Sequence, residues 1–553
     1  MPELPKEQDS EAEPSCLGGL AENFVWIRAV DDDPDVMRRI FMACTLMACA
    51  CQRKAPAPSD APPPSLSTTE RPTAILYPPP EAPRPRVGVL APRVYVRQRP
   101  SAGSMEIGTL YLSAVVELKS PKPAGHDGCP GGWLSVQPEG YVCQDASVTT
   151  APDQSALFAA LSRYGGDYSQ PVPHRWVASR QAPVYRHVPT TREQQRTEGG
   201  YLKDLAAARE GQRRRAFANA DLTLPSAPLP EFLKNGAWSP FSTQHGEPEL
   251  PLREWIPARS TVAVVAEVTV DARSYYLTQD LGLVPRDRVD LLNPSVFRGL
   301  TEEQGLRLPL AFVRYDETPS YRRVDEPQVQ PASIGAGPGD GEIHGRVEAT
   351  GQHFKRLSWV GLTGRVLLRG SRRYLETRHD GLFIEDDQRA AVIQAEPPRG
   401  FELAAGEKWI DVSIHRGTLV AYEGRRAVFA TLISPGVAGY KRTDDGAFAK
   451  HATPTGTFRM EWKHQSTTMS PDPKRKSYYL SEVPWTQFFH MPFALHAAYW
   501  HDRFGEPKSG GCVNLSPKDA KWLFDWTEPH LPDGWHGVRS GGARGAGTWV
   551  RVR

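Results

Sequence analysis

FALHAAYWHDRFGEPKSGGCVNLSPKDAKWLFDW, residues 493–526, carries a histidine and a cysteine 16 positions apart, His496 and Cys512. A thiol attacks a carbonyl efficiently as thiolate, and a nearby imidazole takes up its proton and later returns it to the departing amine. Ser509-Gly510-Gly511-Cys512 puts the cysteine on a tight turn with little side-chain cover, where a substrate backbone can come close. The amides of Gly511 and Cys512 at such a turn can point at one spot and hold an oxyanion, a contribution of ~3–4 kcal/mol per donor. Downstream, Ser516 is placed to cap a helix that starts at Pro517, the favoured first helical position, and this helix braces the turn. A buried thiol or a satisfied histidine alone would be the plainer reading. Together with the surrounding motifs, the pair reads as a reactive dyad.

Around this stretch, 553 residues are too many for one core, so several domains are expected. Lys plus Arg number 66 against 64 Asp plus Glu, a balance that points to no polyelectrolyte partner and no nucleic acid. With 52 prolines, 47 glycines and little helical periodicity, the chain reads as mainly β. No HExxH or paired CxxC spacing is present, so neither a metal nor another cofactor is expected.

Residues 1–36 are acidic and read as an N-terminal extension, because MRRIFMACTLMACAC from Met37 has the basic end and short apolar core of an export signal. Leu46-Met47-Ala48-Cys49 resembles a lipobox, which makes 37–52 a lipoprotein-type signal segment with Cys49 as the lipidated residue. Ile40 to Ala50 is far shorter than the ~20 apolar residues of a membrane span. Membrane attachment is therefore expected through the lipid only, with the chain in the cell envelope, on the periplasmic side. Residues 53–86, with PAPSDAPPPS and PPPEAPRPR, form a Pro-rich tether reaching up to ~3.1 Å per residue. Past Cys51, Cys129 and Cys143 flank one expected hairpin and can pair as a disulfide, two unrelated buried thiols being the alternative. Cys512 is left without an obvious partner, and an unpaired thiol in an exported protein asks for a chemical reason.

A weak repeat precedes the cysteine region. WLSVQPEGYV (133–142), YYLTQDLGLV (275–284) and YLETRHDGLF (374–383) each place an aromatic seven residues before a glycine. Each follows a proline with a tyrosine two or three positions later, Pro92/Tyr95, Pro183/Tyr185 and Pro319/Tyr321. This predicts three β modules, 87–150, 174–292 and 308–395, as small open barrels with turns at glycine. The first resembles bacterial SH3-like domains. A helical basic insertion, 195–255, interrupts the second, and its Arg213, Arg214 and Arg215 read as a solvated face. Trp133, Tyr275 and Tyr374 are expected to pack in cores rather than line a groove.

The region around Cys512 resembles the L,D-transpeptidase, or YkuD-type, family, whose mark is a histidine followed after a loop by a serine-histidine-glycine-cysteine motif. EKWIDVSIHRGTLVAYEGRRAVFATLIS looks like the family's opening strands, and His451-Ala452-Thr453-Pro454-Thr455-Gly456-Thr457-Phe458 like its TPTGTF turn. The resemblance implies a β-sandwich catalytic domain over 405–553, with the dyad in a groove under a flap that includes Ser477 to Trp485. Carried across, Cys512 is the nucleophile, His496 the base, the Ala497 carbonyl orients the imidazole and the Gly511 amide serves the oxyanion. Ser509, Gly510, Asn514, His501, Tyr479 and Trp485 are the expected substrate contacts. Gly510 stands where the family has its second histidine. His501 is a candidate substitute, an exposed loop histidine being its plainer reading, and Asn514 either fixes the loop or satisfies turn carbonyls. The implied activity is attack after the third residue of a peptidoglycan stem, giving 3–3 cross-links or attachment of an outer-membrane or wall-anchored protein. The alternative is a catalytically silent wall-peptide-binding lipoprotein.

Overall fold

The computed structural model describes residues 84–202, 224–234, 255–324, 342–394, 397, 404–443, 448–470 and 478–553, less 227, 230, 272, 380 and 405. The 1–36 extension, the 37–52 signal with Cys49, linker residues 53–83, insertion residues 203–223 and 235–254, and Ser477 lie outside them. Residues 81–553 pack as one unit. The protein is mainly β, with several sheets.

The C-terminal sandwich starts from three consecutive strands, Lys408–Ser413, Thr418–Glu423 and Arg426–Leu432, rich in β-branched and aromatic residues and joined as antiparallel hairpins. Trp549–Val552 adds parallel to the first strand, and Gly456–Arg459 adds antiparallel to Trp549–Val552. Both faces of this sheet are buried. On one side Ile410, Val412, Leu419, Ala421, Phe429 and Val550 meet Trp485, Phe489, Leu495, Ala497, Val513 and Leu515 of a second sheet, with Leu523 and Phe524 of the helix Pro517–Trp526. On the other, Trp409, Val420, Tyr422 and Ala430 pack on Phe297, Leu300, Leu310 and Phe312. Each large side chain fully buried this way is worth ~1.5–3 kcal/mol. That fixes the sandwich that carries the cysteine.

The second sheet contains Trp462–Met469, Leu480–His490, Phe493–Ala497, Val513–Leu515 and Gly537–Arg539, and it does not stop at the C-terminal segment. Glu106–Leu110 pairs with Gly537–Arg539 (Gly108↔Val538), and Thr261–Val270 meets Leu480–His490 in parallel at Thr261↔Leu480. Strands from 87–150 and 174–292 therefore continue the sheet of the C-terminal region instead of closing as separate barrels. The edges that small barrels would leave open are covered here by strands distant in sequence. Residues 310–393 supply a third, eight-stranded sheet of their own, including Thr318–Arg323, Val347–Phe354 and Trp359–Arg369.

All three repeat motifs form antiparallel hairpins, Trp133–Ser135/Tyr141–Cys143, Arg273–Thr278/Leu283–Pro285 and Arg372–Thr377/Leu382–Glu385. Gly140 (φ 92°) and Gly381 (φ 67°) take the positive φ in two of them. In the other, Leu281 takes it instead, at φ 61°. Trp133, Tyr275 and Tyr374 are buried, the core role their pattern predicts. Cys129 and Cys143 are joined by a disulfide.

Where the first segment meets the sandwich, polar side chains form a closed seam. The Tyr111 and Ser466 hydroxyls donate to the two oxygens of buried Glu482, and the Tyr168 hydroxyl lies 2.8 Å from Ser466 Oγ and 3.1 Å from His174 Nε2. His536 Nε2 donates to the Ser466 carbonyl at 2.8 Å, and its ring stacks on Tyr111 with centroids 4.5 Å apart.

Candidate active site

Phe493–Ala497 and Val513–Leu515 run parallel, with Leu495 opposite Val513, His496 opposite Asn514 and Ala497 opposite Leu515. Strand side chains alternate between faces. Leu495, Ala497, Val513 and Leu515 enter the sandwich core, so His496 and Asn514 point to the opposite face. Cys512 lies one residue ahead of its strand, with its thiol hydrogen-bonded to the Ala494 backbone, so the pairing brings the cysteine turn beside the strand that carries His496.

His496 is buried, and its Nδ1 lies 3.1 Å from the carbonyl oxygen of Ala497, which fixes the proton on Nδ1 and leaves Nε2 as the free lone pair. Burial pulls its pKa down to about 4, against a smaller upward pull from the Ala497 hydrogen bond. Cys512 is free and partly exposed. Its sulfur is nevertheless desolvated, which pushes the thiol up to about 11 against the opposing effect of a hydrogen bond with the Ala494 backbone. At neutral pH both groups rest uncharged.

The cysteine turn is held by its own serine. Ser509 Oγ donates to the Cys512 carbonyl and accepts the Gly511 N–H at 3.0 Å. The neighbouring loop clamps it, Lys508 and Ser509 donating to the Pro435 carbonyl and Val437 to that of Ser509. Two expectations are corrected. The Gly511 amide is engaged by Ser509 and turned back into the loop, so of the two amides expected at the oxyanion the Cys512 N–H is the one left. Ser509 is buried and saturated by turn contacts, which makes it a positioning residue rather than a substrate contact. Gly511 has φ +128°, and a Cβ there would stand 2.5 Å from Phe493 and 2.8 Å from the Ala452 oxygen, so this position admits only glycine.

Asn514 is buried and exchanges backbone hydrogen bonds with Ser434 at 2.9 Å. Its carboxamide lies 3.0 Å from His501 Nε2, while His501 Nδ1 accepts the Arg503 N–H at 3.2 Å. Burial first, and His496 next, hold His501 down to about 4, so it is neutral and carries its proton on Nε2. With Nδ1 accepting, Nε2 bears the proton, so we assign the Asn514 amide with its oxygen rather than its nitrogen toward His501, which also supplies a partner to an oxygen otherwise buried without one. His501 is therefore neither an exposed loop histidine nor a substrate contact: both ring nitrogens are spent, and it orients Asn514. Trp485 is corrected as well. It lies in the sandwich core with its indole N–H donating to the Pro171 carbonyl at 2.8 Å. Of the Ser477–Trp485 stretch expected in the flap, residues from Leu480 on belong to the sheet strand Leu480–His490, with Val483 and Trp485 buried. Tyr479 packs against the Val177 and Tyr276 cluster, and its backbone bonds Ser260 and Thr261.

Gly510 is exposed, and a Cβ built on it meets one side-chain atom within 4 Å, His451 Nδ1 at 3.6 Å. Sequence reasoning quoted His451 as the start of HATPTGTF and gave it no role. The signal that finds it is spatial: the backbone ahead of the TPTGTF turn crosses over the cysteine turn.

Among solved structures, an L,D-transpeptidase from Xylanimonas cellulosilytica DSM 15894 is similar at 20% identity and TM-score 0.20, over 28% of this chain and 63% of that one. The L,D-transpeptidase (Yku) from Stackebrandtia nassauensis is similar at 25% identity and TM-score 0.19, over 28% and 58%. The putative L,D-transpeptidase YciB of Bacillus subtilis (strain 168) is 27% identical over 141 residues, covering 22% of this chain and 62% of its own length. Residues 407–552, which hold both sheets' contributions to the cysteine site, match the family model of YkuD, the L,D-transpeptidase catalytic domain.

Proposed function

We propose that this protein is a cysteine acyltransferase acting on peptidoglycan stem peptides, an L,D-transpeptidase in reaction as well as in domain. The observation that carries the reading is a free, partly exposed Cys512 on the turn that leads into the strand paired with that of His496, whose Nδ1 is tied to the Ala497 carbonyl. Because thiol and imidazole both rest neutral, the thiol gives up its proton to His496 Nε2 as its sulfur attacks the carbonyl after the third stem residue. The Cys512 N–H steadies the oxyanion. The C–N bond then breaks, the His496 proton passes to the departing D-alanine amine, and a thioester remains. An amine acceptor releases the enzyme: a diamino-acid side chain gives a 3–3 cross-link, a protein lysine gives a wall-anchored protein, and water gives only hydrolysis.

The reading includes export and a lipid anchor at Cys49. The Cys129–Cys143 disulfide supports an oxidising compartment. In it, the strands of 87–150 and 174–292 extend the sheet of the C-terminal region, and 308–395 stands beside it as further scaffolding.

Intact mass after incubation with a tetrapeptide-stem muropeptide tests the proposal. The expected result is an acyl adduct and released D-alanine, both abolished by Cys512→Ala. A chain that binds purified sacculi but forms no adduct, with muropeptide or with a carbapenem, would make it the silent binding lipoprotein instead.

A further inference from the structure

We propose that His451 is a substrate-contacting residue of the cysteine site, presenting its imidazole to the acyl-donor peptide over Gly510. The inference rests on the acyl-transfer reading for the identity of that peptide.

Three independent features place this side chain. Gly510 is exposed and has no side chain of its own, and His451 Nδ1 stands 3.6 Å from where its Cβ would be. That distance is ordinary van der Waals contact, so the imidazole covers the opening that the glycine leaves. The His451 backbone is held there: its carbonyl accepts the Ala438 N–H at 3.1 Å and lies so close to Gly436 that a Cβ on that glycine would be 2.3 Å away. The next carbonyl, Ala452, packs over Gly511. Finally, His451 sits at φ 66°, a left-handed conformation that a histidine adopts at a cost and that glycine or asparagine adopts more easily. A strained residue with an exposed side chain, pinned from both sides against a nucleophile turn, is what a contact residue requires and a loop filler does not.

Of the imidazoles on the cysteine strands and their loop, His496 and His501 are already committed, and the more distant His490 is stacked on Phe493 and Phe458. His496 is buried with Nδ1 spent on Ala497, and His501 has both nitrogens engaged. His451 is the exposed imidazole next to the turn. An imidazole offers one donor and one acceptor, or two donors when protonated, to a peptide amide or terminal carboxylate.

His451→Gly removes the ring while suiting the backbone, and His451→Asn does so with a stiffer chain. In the unreactive Cys512→Ala protein, either change is expected to weaken binding of a tetrapeptide-stem muropeptide ~10-fold, the usual effect of losing one hydrogen bond to a charged or strongly polar group. With Cys512 intact, acylation should show a raised KM, partly restored by adding Gly510→His. The melting temperature should hold or rise, which a purely structural histidine would not allow. Unchanged binding and acylation in both variants overturn the inference and leave the acyl-transfer reading standing. No binding by the Cys512→Ala protein overturns it too. If the wild type forms no adduct yet the variants still lose peptide binding, the acyl-transfer reading fails and the contact role of His451 stands.

Discussion

Two histidine-rich regions of this molecule are built from similar parts and do opposite things. The seam of Tyr111, Tyr168, His174, Ser466, Glu482 and His536 is closed: carboxylate, hydroxyls and rings satisfy one another, with His174 Nδ1 the buried atom left over. The cysteine site has His496 buried with one ring nitrogen engaged and His501 half-buried with both engaged, but its thiol is partly exposed and the glycine beside it is open. Burial draws imidazoles down in both, to about 3 at His174, about 4 at His536 and about 4 at His496. A perturbed histidine therefore does not mark a reactive site by itself. What differs is a free, partly exposed thiol beside the imidazoles.

The sharpest way to break this contrast is to exchange the base. His496→Gln should cut acyl-adduct formation ~100-fold, the usual contribution of a general base. It should leave simple alkylation of Cys512 by a neutral reagent climbing about tenfold per pH unit toward about 11, because burial and not the imidazole sets the thiol. Stopped-flow acylation and a pH series of alkylation rates check both. An alkylation plateau near neutrality would mean a preformed ion pair and would end the neutral-dyad account.

The next effect belongs to the seam. Glu482→Ala strands the Tyr111 and Ser466 hydroxyls and should cost on the order of 2–3 kcal/mol in denaturant unfolding, while Glu482→Gln costs ~1 kcal/mol or less. Neither should change Cys512 alkylation in the folded protein. A reactivity change would show that seam and site are coupled.

The last effect is read as a slope. His536 ordinarily titrates at 6.5 and is drawn to about 4 in the fold. Between those values the unfolded chain binds a proton that the folded chain does not. Its contribution is intact above about 6.5 and is lost as pH falls toward about 4, by up to ~1.4 kcal/mol per pH unit. Unfolding free energies of wild type and His536→Gln across that window should diverge by this slope, the variant being flatter.

Local chemistry was readable in the sequence. Ser516 caps the helix through Asp519 N–H with Pro517 at its first position, the glycine-marked repeats form hairpins, and the strand that follows Cys512 pairs with the strand of His496. What stayed hidden is set by crossings between distant segments. Trp485 looks like a groove aromatic until its strand is paired on both sides, and only then does its face turn inward. His501 needs Asn514 and His451 needs Gly510, pairings that no residue spacing encodes. The continuation of one sheet from 106–110 into 537–539 is equally silent in either strand alone, since an edge and an interior strand carry similar alternation.

The position of two short strands fixes an order of assembly. Gly537–Arg539 lies between Glu106–Leu110 and Trp462–Met469, and Trp549–Val552 lies between Lys408–Ser413 and Gly456–Arg459. Both are keystones, and both are synthesised after all of their partners. Neither sheet can close before that stretch exists, so Cys512 acquires its finished surroundings only once the chain has been made past residue 552.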